Sequence, residues 1–185
     1  MHLPAQLGLI YLLSETVLWF TRKSEPGRAR VDAGSLFALW IAVGAGIAGG
    51  INVHRIVRDF EFELPRITTY GLIATFACGV ALRWWSILLL GKFFTVAVAI
   101  APDHKLIMRG PYRIIRHPAY TGMMIAFGAL AVTFQNWLSL ACILVPISMA
   151  LAYRIRVEEV ALIRAFGDAY LRYQATTYRL IPWLY

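Results

Sequence analysis

The chain has 185 residues, 59% hydrophobic and 15% charged, with a mean hydropathy of +0.63 and a formal net charge of +8. Globular domains are roughly 45–50% apolar and about 25% charged, so a soluble chain of this size could not hide its apolar surface; a bilayer removes the problem. Nor does the charge point to nucleic acid. The basic residues lie in short segments between long apolar runs, as the positive-inside rule produces, with no zinc-finger spacing and no basic helical arm.

In chain order, the first apolar run predicts a helix over about 3–20. It lacks a cationic leader and a small-residue cleavage site, which predicts a retained helix rather than a signal peptide. Glu15 within it is expensive in lipid and is expected to face the bundle or a cavity. Residues 21–33 hold Pro26 and Gly27 and read as a loop. Helix 2 is expected over about 34–53, where Gly44, Gly46, Ala48, Gly49 and Gly50 permit close helix contact. A charged stretch, 54–66, precedes helix 3 at about 67–90, which carries Arg83-Trp84-Trp85. Arg83 has two readings: it snorkels beside an interfacial tryptophan belt, or it binds a carboxylate next to a site. Cys78 and Cys142 sit in apolar runs, form no C-x-x-C pair and read as small buried side chains.

Residues 91–118 are a mixed stretch of a length that is usually functional or disordered, and its aliphatic and aromatic content argues against disorder. Helix 4 is expected over about 119–134 and helix 5 over about 137–153, with Gln135 and Asn136 making a tight antiparallel hairpin. Both are short for a span of roughly 20 residues. A final amphipathic helix is expected over about 154–174. The predicted fold is therefore all-α: a polytopic membrane bundle of about five transmembrane helices plus a C-terminal amphipathic cytoplasmic helix. Arg22, Lys23, Arg28, Arg30, Lys92, Lys105, Arg109, Arg113, Arg116, Arg154, Arg156, Arg164, Arg172 and Arg179 fall on one side of such a bundle, and only Arg55, Arg58 and Arg66 on the other. That asymmetry predicts an outside N-terminus and a cytoplasmic C-terminus. The C-terminus carries no prenylation box.

Two places concentrate polar chemistry. On a wheel of about 100° per residue, Leu162, Ala165, Phe166, Ala169 and Tyr173 form an apolar arc of the last helix. Arg164, Asp168 and Arg172 form a solvated ion-pair row. Glu158 and Glu159 project at the edges of the arc, toward the protein, where carboxylates need partners; either Arg154 or Arg156 supplies one, or a cationic ligand does. The second cluster runs from His104 through Arg109, Tyr112, Arg113, Arg116 and His117 to Pro118 and Tyr120. Pro118 can open helix 4, placing His117 at a positive helix end suited to an anion. An arginine belt on lipid headgroups would explain Arg109 and Arg113, but not the two His and two Tyr among Gly and Pro.

Leu-Gly-Lys-Phe-Phe-Thr (90–95), His-Lys-Leu-Ile (104–107), Gly-Pro-Tyr-Arg-Ile-Ile-Arg-His-Pro-Ala-Tyr-Thr-Gly (110–122), Glu-Glu-Val-Ala-Leu (158–162), Phe-Gly-Asp-Ala-Tyr (166–170) and Arg-Leu-Ile-Pro (179–182), in that order, resemble the isoprenylcysteine carboxyl methyltransferase family. The resemblance covers about 67–185, which would be the catalytic region; 1–66, helices 1 and 2, carries no family motif. It implies an S-adenosylmethionine site lined by His104, Leu106, Tyr112, His117, Pro118, Tyr120 and Glu158 or Glu159, with Arg154, or else Arg116, orienting the methyl acceptor. Arg83 and Trp84 are candidates for contact with that acceptor. The partners implied are the bilayer and a lipophilic acceptor arriving from it, with neither nucleic acid nor metal. The residues suit the chemistry: Glu for an ammonium, Arg for a carboxylate, aromatics for a sulfonium. Two alternatives stay open on sequence. A phospholipid or other amine methyltransferase would need a base, which His104 or His117 could be. A nicotinamide-dependent sterol-type reductase ends similarly to Tyr178–Pro182, although the Glu158-Glu159 pair and the short length favour methyl transfer.

Overall fold

The computed structural model describes residues 3–21, 34–94 and 106–183. Six helices follow in order: α1 Leu3–Thr21, α2 Ser35–Ile56, α3 Arg66–Leu90, α4 Pro118–Val132, α5 Trp137–Phe166 and α6 Asp168–Thr176. Single 3-10 turns lie at Gly91–Phe93 and Gly110–Arg113. Helices α1, α2, α3 and α5 are each long and apolar enough to cross a bilayer. α4, at 15 residues, reaches only about 22 Å at 1.5 Å per residue, short of a hydrocarbon core of about 30 Å. Large apolar side chains point outward, among them Leu12 and Leu13 at 58% and 56% exposure, as expected where lipid is the solvent.

Two pairs of helices pack closely because small residues face each other. A Cβ on Gly79 of α3 would stand 2.6 Å from the Ala126 amide nitrogen of α4, and one on Gly122 would stand 2.7 Å from the Arg83 nitrogen. Between α2 and α5, a Cβ on Gly50 would meet the Ile143 side chain at 2.7 Å, and one on Gly46 the Cys142 carbonyl oxygen at 3.1 Å. That carbonyl is the one Pro146, inside α5, cannot bond, so a kink-prone position is also where the neighbouring backbone comes close. Of the small residues expected to serve contact in α2, Gly44 meets nothing within 4 Å, whereas Gly46 and Gly50 do the work. Cys142 is half-buried, but Cys78 is exposed on the outer face of α3, contrary to the buried reading.

One end of the bundle is tied by Asn136. It caps α5 by accepting from the Ser139 amide at 2.9 Å and donates to the Val57 carbonyl beyond α2 at 2.8 Å. Ser139 Oγ donates to Gly50 O at 2.9 Å. The turns after α2 and α4 therefore share this end, and the polar cluster of 112–120 lies at the other. The core between holds Phe127, Leu130, Ile143, Ile147 and Leu151, joined by Leu7 and Tyr11 of α1. α4 runs from the polar cluster back to the Asn136 end, so the start of α1 and the end of α6 lie at opposite ends of the bundle.

The C-terminal helix differs from expectation. No boundary exists near residue 154: α5 runs unbroken for 30 residues to Phe166, and the break is at Gly167, whose φ of +53° is a left-handed conformation suited to glycine. The wheel drawn through that break holds only in part: Tyr173 is buried and Leu162 and Phe166 are half-buried as drawn. Ala165 and Ala169 are exposed, and Arg164 and Asp168 belong to different helices, so they do not form the row expected of one continuous helix. After α6 the chain turns back alongside 114–121. The Arg116 amide donates to Tyr178 O at 2.8 Å, the His117 amide to Arg179 O at 3.2 Å, and the Tyr178 amide to Ile114 O at 2.9 Å. Thr121 Oγ1 donates to Leu180 O at 2.7 Å.

Candidate active site

Pro118 occupies the first turn of α4 with His117 at its N-cap. The amides of Arg116 and His117 are not directed at an anion there: both donate to the returning tail. What the helix start does is aim side chains. Tyr120, one turn in, faces a cavity of about 150 Å³ between the helices. Leu106, Tyr112, Arg116, His117, Tyr120, Arg154 and Glu158 line this chamber, as do Arg83 and Glu15 at its inner end. His104 lies outside the described residues. Pro118 is buried behind the wall, where it fixes the helix start.

The two adjacent glutamates have different partners. Glu159 lies deep, its side chain 6% exposed, and binds Arg116 Nε at 3.0 Å and Arg179 Nη2 at 2.9 Å, with His117 Nε2 at 3.4 Å. Glu158 has a side chain 28% exposed and accepts from the Tyr120 hydroxyl at 2.8 Å. Tyr120 in turn accepts from Arg154 Nε at 2.8 Å, and Arg154 Nη1 donates to Ser35 Oγ of α2 at 3.2 Å. The result is a chain of bonds from Arg154 through a phenol to Glu158, facing the chamber. Neither expected arginine pairing of the glutamates, with Arg154 or Arg156, describes Glu159, which is held from 116 and 179.

Arg116 is held on several sides. Besides Glu159, its Nη1 donates to the carbonyls of Gln174, at 3.0 Å, and Thr177. Arg83 does not snorkel: it is buried, and its Nε and Nη2 grip both oxygens of Glu15 at 2.6 and 2.8 Å. Trp84 points away from the chamber. Its Nε1 donates to Ser14 Oγ at 2.7 Å, and its ring borders a separate apolar groove between α1 and α3 with Leu7, Ile10 and Phe76.

Several lining residues had not been singled out from sequence. Leu18, Trp19, Leu36, Leu39 and Trp40, from α1 and α2, give the chamber an apolar wall, and Tyr170 closes its other side together with Tyr173, which the sequence had placed only on the apolar arc. Tyr173 donates to the Tyr112 carbonyl at 2.7 Å. Burial raises the hydroxyls of Tyr112 and Tyr173 above the usual phenol range, so both are neutral donors near pH 7. Tyr170 ends the Phe-Gly-Asp-Ala-Tyr motif, the one signal that could have flagged it.

A polytopic helix bundle with a polar chamber at one end, walled on one side by apolar residues, defines a multi-pass membrane protein with an internal site as a class. Residues 72–164 match the model of the isoprenylcysteine carboxyl methyltransferase family. The chain is 32% identical over 146 residues to protein-S-isoprenylcysteine O-methyltransferase B of Arabidopsis thaliana, covering 75% of this chain and 74% of the relative. It is 26% identical over 161 residues to the protein-S-isoprenylcysteine O-methyltransferase of Schizosaccharomyces pombe, covering 78% of this chain and 67% of that one. The fold is shared with a solved eukaryotic intramembrane Ras methyltransferase at a TM-score of 0.62 and 23% identity, over 83% of this chain and 54% of that chain. The chain belongs to the isoprenylcysteine carboxyl methyltransferase family.

Proposed function

We propose that the chamber transfers a methyl group from S-adenosylmethionine to the carboxylate of a lipophilic, isoprenylcysteine-like acceptor. The observation that carries this reading is the Arg154–Tyr120–Glu158 chain of bonds, which sets a cation and an anion side by side in one buried chamber. The residues fit the cofactor. Glu158 is the carboxylate open to the chamber for an ammonium, and Tyr112, His117 and Tyr120 supply aromatic faces for a sulfonium. His104 and Leu106 complete the motif set. When bound, S-adenosylmethionine supplies an activated methyl group.

The protein's own part is orientation. A carboxylate is ionised near pH 7, so its methylation needs no general base, and neither histidine is required as one. Arg154 offers a guanidinium to an acceptor carboxylate, and holding two reactants in line can contribute roughly 7–11 kcal/mol. Arg116, engaged by Glu159 and the tail carbonyls, positions that glutamate and the C-terminal segment. In this reading residues 67–185 carry the reaction, and 1–66 supply the apolar wall along which the acceptor's hydrocarbon arrives from the bilayer. Arg83, bound by Glu15, sets the inner end of the chamber, and Trp84 contacts the acceptor only along the groove between α1 and α3.

The two glutamates separate cofactor binding from architecture. Glu158→Gln is expected to weaken S-adenosylhomocysteine binding at least tenfold, with the thermal midpoint of the ligand-free protein nearly unchanged. Glu159→Gln is expected to lower that midpoint, because Arg116 and Arg179 lose their shared counter-charge. Calorimetric titration and melting of the purified variants check both. Normal binding by Glu158→Gln would remove that residue from the cofactor site.

The chamber end is read as cytoplasmic from the basic asymmetry. A tag on the N-terminus is expected to be accessible in intact cells and one on the C-terminus only after permeabilisation. The opposite pattern would invert the bundle.

A further inference from the structure

Tyr170 is 1% exposed and lines the chamber, and its hydroxyl has no hydrogen-bond partner. Such orphans are uncommon, because a buried hydroxyl left without a partner destabilises the fold that contains it. Its neighbours do not share the condition: Tyr173 is bonded to Tyr112 O, Tyr120 to Glu158 and Arg154, and Tyr112 has Ser86 O at 3.4 Å. The left-handed Gly167 starts α6, and Tyr170 follows on its first turn, where the ring packs beside Tyr173 at 5.9 Å between centroids. The sequence thus spends a tight turn to aim a phenol it does not satisfy.

Building on the cofactor reading above, we propose that Tyr170 is a ligand-binding residue whose hydroxyl donates to the carboxylate of the cofactor's amino-acid end. Three observations converge. Tyr170 lines the same chamber as Glu158, the carboxylate read as holding the ammonium. The ammonium and carboxylate of an α-amino acid share one carbon, so a donor beside the ammonium site meets the carboxylate. Burial, and then the field of Glu159 and Glu158, raises the Tyr170 hydroxyl above the ordinary phenol range, which keeps it a protonated donor. The ligand-free protein is therefore held with a donor in waiting, and binding satisfies it.

Tyr170→Phe tests this, since it removes one atom from a residue with no bond to lose. In the purified full-length protein, S-adenosylhomocysteine should bind about tenfold more weakly, while the ligand-free melting midpoint stays level or rises. 5′-Methylthioadenosine, which lacks the amino-acid end, should bind wild type and variant alike. Tyr173→Phe, which breaks a real bond, should lower the ligand-free midpoint. Unchanged S-adenosylhomocysteine affinity in Tyr170→Phe would overturn the proposal, as would an equal loss for 5′-methylthioadenosine or a lower ligand-free midpoint. Failure of the wild-type protein to bind either ligand would instead overturn the cofactor reading itself.

Discussion

Glu15→Ala is expected to destabilise the protein by about 3–5 kcal/mol, the effect of leaving a buried charge without its partner. Arg83 and Glu15 join α3 to α1 through two parallel bonds of 2.6 and 2.8 Å, and their side chains are 10% and 8% exposed. Removing the carboxylate leaves a guanidinium among Leu18, Ala119 and Met123, with the Ala119 carbonyl 3.4 Å from Nη1. α1 should then detach first, opening the chamber wall that Leu18 and Trp19 provide. The double change Glu15→Leu with Arg83→Met should recover much of the loss, because an apolar pair of similar volume removes the desolvation penalty along with the attraction. Thermal melting of wild type, Glu15→Leu, Arg83→Met and the double variant in one detergent forms the cycle, with Glu15→Ala melted beside them. Equal stability of Glu15→Ala and wild type would show that the pair contributes nothing to holding α1.

The spans were legible because hydropathy is a local property. The apolar runs of α1, α2, α3 and α4 appear in the structure close to their expected limits. The pair just discussed was half legible: each residue was conspicuous as a charge in an apolar run, but they stand 68 positions apart, and no periodicity reports that separation. The helix boundary was misplaced for a local reason. Tyr153–Arg154 marks a change from apolar to polar surroundings, not a change of backbone, and nothing between Pro146 and Gly167 interrupts the helix. The sharp turn at Gly167 then set Ala169 outside the drawn arc, although Tyr173 is buried as drawn. The tail was the least accessible part. Nothing in Arg-Leu-Ile-Pro says that Arg179 crosses to Glu159, yet that contact, with Arg116, separates the two glutamates into one committed to the fold and one left for the chamber.

Arg154→Lys is expected to lower turnover at least tenfold, about 1.4 kcal/mol or more of lost transition-state stabilisation, with S-adenosylhomocysteine affinity near that of wild type. Arg154 is 4% exposed and sits where α5 passes the start of α2, bonded to Tyr120 and Ser35. Lysine keeps the charge but loses the planar fork, and with it the paired bonds a carboxylate can accept. A group acting mainly as the methyl moves should change kcat rather than cofactor binding. Tyr120 lies between Arg154 and Glu158, so the alternative outcome is equally informative. If Arg154→Lys lost cofactor affinity in parallel with turnover, the arginine would act by holding Tyr120 and Glu158 in place, not by meeting the acceptor. Unchanged turnover would take the acceptor clamp away from Arg154 altogether.

The most direct test of methyl transfer to a carboxylate is the fate of the methyl itself. The purified protein, reconstituted in lipid, is given S-adenosylmethionine with an isotopically labelled methyl group and an S-prenylated cysteine analogue with a free carboxylate. The product is then treated with mild alkali. A methyl ester releases its label as volatile methanol, and the account predicts that the label leaves in this way and that blocking the acceptor's carboxylate abolishes incorporation. Label that stays on the acceptor through alkali, as a methylated sulfur or nitrogen would, contradicts it.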